Sequence, residues 1–398
     1  MKQVLLYTLF AFALGSHAGP AGAKTGLETS WDKGLRFRSE DGSFSLKVGG
    51  RIMNDWAWFD QGDTHEAAFG NWQDGTEFRR TRLYVSGTVY DNVTFKAQYD
   101  WTGGKTALKD MYVGVEKVPG VGRIVVGRQY EPFGLETLTS SKYITFMERS
   151  ITGAFVPERQ SGILARRTFA GKRATAAAGL FRETDGGGAG AGDGSYAGTA
   201  RVTVLPWYDG EQRLAHIGVA YSRRNPSDAV EYDSDPESHL GGTSVEISPI
   251  SADAVSLFGI ETAMVTGPFS LQGEAMLSAL DDDATGDPEF FAYYAYGSFF
   301  VTGESRNYKT SAAVFDRVQP NRNFRGDGSG HGAVELAVRV AFLDLNSAPV
   351  LGGEMTDVTV GVNWYLNPNT RVMMNYVRSD VDNVGTANIV QTRFQIDF

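Results

Sequence analysis

The 398-residue sequence contains no cysteine, only 13 prolines and five histidines. Beyond Leu14 it has no apolar run approaching the roughly 20 residues that a transmembrane helix requires. Each absence excludes something. Without cysteine there is no disulfide framework, thiolate nucleophile or thiolate metal site. Without a long apolar run there is no helical span in the mature chain. The histidines His17, His65, His216, His239 and His331 are scattered and complete no metal or nucleophile motif. The acidic group Asp281, Asp282, Asp283, Asp287 and Glu289 lacks the glycine and ligand spacing of a calcium loop, so it reads as solvated loop charge. Neither catalysis nor a bound metal or cofactor is expected.

What is present begins with a leader. Lys2 precedes an apolar stretch from Val4 to Leu14, and Ala21-Gly22-Ala23 offers a small-x-small cleavage site. The expected organisation is a signal peptide over 1–23, an N-terminal periplasmic segment over 24–42 and a folded body over 43–398. Glycine is abundant at 48 residues and aromatics reach 12%, yet only 42% of the chain is hydrophobic. A barrel reconciles these values, because only alternate residues of its strands face lipid.

Period-two alternation runs through the mature sequence, with no convincing amphipathic helix. Phe44, Leu46, Val48, Ile52, Trp56 and Trp58 share one face of the first strand, against Ser45, Lys47, Arg51 and Asp55. Leu83, Val85 and Val89 oppose Arg80, Arg82, Tyr84 and Ser86, and Val93, Phe95, Ala97 and Tyr99 oppose Thr94, Lys96, Gln98 and Asp100. Apolar faces end in Trp or Tyr, as an interfacial girdle requires. The expected fold is all-β, a transmembrane antiparallel β-barrel of about sixteen strands in a Gram-negative outer membrane. A soluble sandwich would need a second apolar layer, and no segment supplies one. The closing alternation Val390, Thr392, Phe394, Ile396, Phe398 resembles the terminal signature by which outer-membrane proteins are recognised for insertion.

Short connections at Asp91-Asn92, Pro119-Gly120, Gly171-Lys172, Gly267-Pro268 and Pro368-Asn369 are expected on the periplasmic side. Longer ones, Gln61 to Thr76, Tyr130 to Ser161, Glu183 to Ser195, Arg223 to Ala254 and Asp281 to Pro288, are expected outside. Several are acidic, with Asp185, Asp193, Asp228, Asp233, Asp235 and Glu237, so much of the formal net charge of −10 is expected outside the pore wall. Gly303 to Gly332 breaks the pattern: it is long, lies on the turn side and is rich in arginine, which points to a fold back into the lumen.

Residues of opposite parity to the lipid face line the lumen. The basic ones are Lys47, Arg51, Arg80, Arg82, Lys96, Arg201, Arg339, Arg371 and Arg393. The acidic ones are Asp55, Asp100, Asp110, Glu116, Glu261, Glu274, Glu335 and Asp397. Many are expected to form cross-strand pairs that stiffen the wall. The run Phe78-Arg79-Arg80-Thr81-Arg82 concentrates cations beyond what its neighbours offer as carboxylates, which favours anions in a narrow tube. The stretch 130–161 carries Ser140, Ser141, Lys142, Arg149 and Arg159 amid Ile144, Phe146 and Met147. So apolar a loop either enters the lumen as an anion filter or covers the mouth or a neighbouring subunit.

These residues, with Lys47-Val48-Gly49-Gly50-Arg51, Phe78-Arg79-Arg80-Thr81-Arg82-Leu83, Ala107-Leu108-Lys109-Asp110-Met111-Tyr112-Val113, Thr139-Ser140-Ser141-Lys142 through Met147-Glu148-Arg149-Ser150, and Asn363-Trp364-Tyr365-Leu366-Asn367-Pro368-Asn369, resemble the phosphate-selective porin O and P family. Gly267-Pro268-Phe269-Ser270-Leu271-Gln272-Gly273-Glu274 adds to the likeness. The resemblance implies a sixteen-stranded homotrimer in outer-membrane lipid and lipopolysaccharide, whose arginines and lysines guide phosphate or polyphosphate. It points to Arg51, Arg79, Arg80, Arg82 and Lys96 on the wall, Asp110 opposite, Ser140, Ser141 and Arg149 in the constricting loop, and Lys309 as a further basic ligand. Where phosphate-selective members carry a lysine shortly before the serine pair, this chain has Glu136-Thr137-Leu138-Thr139, and Glu136 is expected to oppose an anion. The alternatives are a weakly selective diffusion porin and a structural or adhesive barrel whose acidic loops hold cations. No nucleic acid is expected as a partner.

Overall fold

A computed structural model describes residues 26–192 and 194–398. The expected leader over 1–23 lies outside the described residues, as do residues 24, 25 and 193. Among those described, sixteen strands form a closed barrel. They are β1 Ser45–Gln61, β2 Gly75–Val89, β3 Val93–Asp100, β4 Ala107–Val118, β5 Gly122–Tyr130 and β6 Arg159–Phe169. Next come β7 Ala174–Arg182, β8 Tyr196–Tyr208, β9 Arg213–Asn225, β10 Ala254–Thr266 and β11 Phe269–Asp281. The last are β12 Glu289–Phe300, β13 Ala333–Ser347, β14 Val350–Asn367, β15 Thr370–Val381 and β16 Gly385–Asp397. Each pairs antiparallel with the next, and β16 returns to β1 with Asp397 opposite Arg51.

The alternation in the sequence becomes two faces of one wall. Trp56 and Trp58 are 43% and 44% exposed on the outside, while Arg51 and Asp55 on the opposite face of the same strand are 6% and 4% exposed inside. Lipid covers the outer face, and each large outward side chain withdrawn from water contributes roughly 1.5–3 kcal/mol. Closure leaves no unpaired edge for another chain to join. At the seam Gly50 N donates to Phe398 O at 2.7 Å and Phe398 N donates to Gly50 O at 3.1 Å. A Cβ on Gly50 would sit 2.6 Å from the Arg82 carbonyl oxygen and 2.8 Å from the Phe398 ring, so only glycine admits this approach.

Two of the register irregularities bear on the pore wall. Between β1 and β2 the register steps from Met53 opposite Arg80 to Asn54 opposite Phe78, leaving Arg79 as the extra residue. Between β3 and β4 it steps from Ala97 opposite Met111 to Tyr99 opposite Leu108, so Lys109 and Asp110 share one position. A bulge turns consecutive side chains to one side of a sheet.

The structure adds detail to several expectations and corrects one. The stretch between Leu345 and Asp357 belongs to long strands, β13 and β14, joined tightly at Ser347–Val350. Loops hold short helices at Asp63–Phe69 and Leu135–Leu138, too short to announce themselves by period. Residues 24–42 include a hairpin, Leu27–Trp31 with Leu35–Ser39, that adds to the start of β1 through Leu35 and Val48. The connection 226–253 is not a solvated acidic loop throughout, because Tyr232, Val245, Ile247 and Ile250 are buried and draw it inward. Glu237 is buried with it, against Arg339 at 2.5 Å, and burial pushes its carboxyl up to about 8 despite that arginine.

Candidate functional site

Residues 131–158 enter the barrel and divide it. Phe133, Phe146, Ile151 and Phe155 join wall residues Met276, Tyr294, Tyr296, Ala337 and Ala341 in one apolar cluster. Glycine makes the room: a Cβ at Gly259 would stand 3.0 Å from the Phe133 ring, and one at Gly361 3.3 Å from the Phe146 ring. The loop therefore lies against β10 to β14, and its other edge faces the wall of β1 to β6.

Polar groups on the occupied side hold the loop backbone. Both carboxylate oxygens of Glu274 accept from the Leu135 and Glu136 amides at 2.7 Å, capping the short helix. Arg371 Nη1 donates to Ile144 O at 2.8 Å, Asn363 Nδ2 to Thr145 O at 2.7 Å, and Arg339 Nη2 to Glu148 O at 3.1 Å. Arg393 donates to Met147 O and pairs with Asp55 at 2.6 Å. Arg339, Arg371 and Arg393, placed on the wall by parity, are thus spent on loop carbonyls and carboxylates.

Arg149 is part of the same scaffold. Its Nε donates to Glu136 O at 3.1 Å and its Nη2 to Thr137 O and Thr139 O at 3.1 and 3.0 Å, so it clamps the segment that carries the serines. Glu136 does not oppose an anion in the open channel: it accepts from Ser150 N at 2.9 Å and pairs with Arg339 at 3.2 Å. Changing Arg149 to Ala is expected to free three carbonyls and speed proteolytic cutting within 136–150. Unchanged cutting would contradict the clamp.

The arginine run on β2 is less of a bare cationic patch than its sequence suggests. The bulge turns Arg79 inward beside Arg80, and the loop brings Glu148 to both. Arg79 grips it with two bonds of 3.0 Å, and Arg80 Nη1 lies 3.6 Å away. Burial alone would raise the Glu148 carboxyl, but Arg79, Arg80 and Arg393 hold it well below its ordinary range. Arg82 pairs with Asp100 at 2.6 Å, and Asp110 takes Arg159 at 2.6 Å together with Lys96. Arg159 also lies over the Tyr130 ring at 3.8 Å.

Arg51 differs. Its cross-strand partner Asp397 is engaged by Arg317, Nη1 to Oδ1 at 3.0 Å, and by Lys142 at 3.0 Å. Among the described residues Arg51 makes no ion pair; its Nη1 donates to Ser141 Oγ at 2.5 Å, with Ser140 Oγ at 3.4 Å. Arg51, Lys142 and Arg317 are thus three cations around one carboxylate. Each serine oxygen that accepts from Arg51 keeps its own O–H to give elsewhere. Burial pushes Lys142 down to about 8, against the pull of Asp397.

The segment 303–332 also turns inward, as its length and composition indicate. Tyr308, Ala313 and Phe315 join Leu135, Leu205, Leu214 and Val265 in a second apolar cluster. His216 sits on β9 between Tyr308 Oη at 2.7 Å and Glu261 at 2.9 Å. Arg317 reaches Tyr143 Oη at 3.2 Å and Phe315 N reaches Thr139 Oγ1 at 3.3 Å, so this segment buttresses the serine-bearing loop from below. Lys309 is exposed on its small hairpin and makes no ion pair among the described residues. The structure gathers Arg51, Ser140 and Ser141 at one place, while Lys309 contacts none of them. Lys109, which the bulge turns inward, and Arg317 were absent from the sequence-derived set. Glu158 answers part of that charge, since Arg149, Arg159 and Lys109 hold its carboxyl down against the effect of burial.

Comparison with known proteins agrees with this architecture. Residues 46–398 match the family described as phosphate-selective porin O and P. Porin O of Pseudomonas aeruginosa is 28% identical over 396 residues, covering 89% of this chain and 87% of its own. An uncharacterized protein of Caulobacter vibrioides is 28% identical over 416 residues, covering 98% and 81%. Among solved structures, the anion-selective porin from Comamonas acidovorans superimposes with a TM-score of 0.60 at 12% identity, over 89% of this chain and all of its own. Salmonella typhi OmpF gives 0.54 at 14% identity, over 93% of this chain and all of its own. At such identities the structures speak for the fold alone.

Proposed function

Because the chain belongs to the phosphate-selective porin O and P family, and is an outer-membrane anion porin by family and fold, we propose that its preferred solute is phosphate or polyphosphate. The solute would pass by diffusion along the wall of β1 to β6, without catalysis. The observation that carries this reading is Arg51, whose carboxylate partner is taken by Arg317 and Lys142 and whose guanidinium points at two hydroxyls. Oxyanions favour several charge-assisted donors at once, and the planar guanidinium fork matches two oxygens of one phosphate. Arg82, Lys96, Lys109 and Arg159 add positive potential along the same side, which concentrates anions in a low-dielectric tube. Arg79 and Arg80 contribute above it, Asp110 orders its two cations, and Lys309 serves the periplasmic approach. The lipid-covered outer face suits a homotrimer in lipopolysaccharide-containing membrane, and OmpT of Vibrio cholerae, a barrel of the same fold, is described in a trimer form.

The test is a planar-bilayer recording. In a KCl gradient the reversal potential should report anion preference, and added phosphate should block chloride current. Cation preference would sink the reading. Lys142 adds a pH signature. A lysine is charged below its pKa, so with that value near 8 its charge is present at pH 7 and lost by pH 9. Anion preference should fall over this interval, and Lys142→Met should flatten the step. A profile that is the same in both proteins would remove Lys142 from the account.

A further inference from the structure

A cavity of about 150 Å³ lies low in the barrel between β4 to β6 and the two inward segments. Arg123, Arg166, Tyr112, Tyr130 and Gln129 supply its polar groups, and the remaining lining, including Leu138, Ala312 and Val314, is apolar. No carboxylate lines it. Arg123 and Arg166 face each other directly across β5 and β6. Like charges in that position repel unless something of opposite sign stands between them. Arg123 is ion-paired with Glu116, Nε to Oε1 at 2.8 Å, a pair that is about a third exposed and lies outside the cavity lining. Arg166 has Arg123 on one side and Ala177 on the other, and makes no hydrogen bond or ion pair among the described residues. Arg123 thus has a carboxylate on one side, and Arg166 has no such partner among the described residues.

We propose that Arg166 and Arg123 form a second oxyanion station, at the periplasmic exit of the pore, that holds inorganic phosphate separately from Arg51. The proposal rests on the phosphate reading above. Arg166 lies three residues before the chain leaves β6 for its turn, and Arg123 one residue into β5, so both sit near the periplasmic end. Arg123 and Tyr112 also line a vestibule of about 810 Å³ that the N-terminal hairpin borders with Arg36. The station is thus continuous with the exit. Its volume takes one tetrahedral oxyanion and a few waters at ~30 Å³ each. Two guanidiniums supply the charge-assisted donors, and the tyrosine hydroxyls add neutral ones.

Equilibrium binding of radiolabelled inorganic phosphate to the full-length protein tests it, with KCl channel formation as the check that each variant folds. The wild type should bind two phosphates per chain. Arg166→Gln and Arg51→Gln should each bind one, and Arg166→Lys should keep two. One phosphate in the wild type, lost with Arg51→Gln and kept with Arg166→Gln, would overturn the station and leave the Arg51 reading standing. One phosphate lost only with Arg166→Gln would support the station and overturn Arg51 as the holding residue. No bound phosphate in the wild type would overturn both.

Discussion

Replacing Arg51 with alanine is expected to weaken phosphate block of chloride current by roughly tenfold to a hundredfold, with the barrel intact. A hydrogen bond to a charged group is worth about 1.5–3 kcal/mol, and each 1.4 kcal/mol is about a factor of ten. The loss should appear in affinity because, among the described residues, Arg51 supports no loop carbonyl and completes no ion pair; its partners are hydroxyls that water can satisfy. Arg80→Ala should do less, since Glu148 already offsets that charge together with Arg79. The comparison decides between two sources of selectivity. If Arg80→Ala weakens the block more than Arg51→Ala, then summed wall charge governs the pore and the serine-facing guanidinium does not.

The largest change in conductance should follow removal of the loop's apolar anchors. Phe133 and Phe146 are fully buried against the β10 to β14 wall. Truncating such a ring to alanine costs about 3–5 kcal/mol, and the two share one cluster, so their losses need not add. The Phe133→Ala/Phe146→Ala protein should keep its strands, because the barrel ladder does not depend on the loop. The loop should leave its bed, single-channel conductance should rise several-fold, and phosphate block should disappear with Ser140 and Ser141 displaced from Arg51. Unchanged conductance with both rings removed would show that the polar clamps alone hold the partition.

The fold was readable in the sequence because a lipid-facing barrel writes its geometry in a period of two. Ile52, Trp56 and Trp58 against Arg51 and Asp55 leave little room for another interpretation. The inward course of 131–158 was partly readable too, since Ile144, Phe146 and Met147 need cover. The assignment of partners was not. Nothing local to Arg393 indicates that a loop some 245 residues earlier will present Glu148 and the Met147 carbonyl to it. Bulges carry no residue signature here, so parity alone left Arg79 and Lys109 out of the wall, and only the family resemblance placed Arg79 there. The acidic stretch 226–253 misled in the other direction: its charges suggested solvent, while Tyr232, Val245, Ile247 and Ile250 outweighed them. Long-range pairing and the competition between loop charge and loop burial are settled only when the wall is present.

The seam between β1 and β16 has a consequence for how the protein is made. Because Gly50 exchanges backbone hydrogen bonds with Phe398, closure joins the two ends of the strand order, β1 and β16. Every earlier strand can pair with its neighbour in sequence, but this pairing waits for β16. A truncated or stalled translation product would therefore carry two raw edges and no sealed wall. Gly49 and Gly50 leave no space for a side chain there. The cylinder is therefore sealed only by β16, and a copy without that strand cannot close.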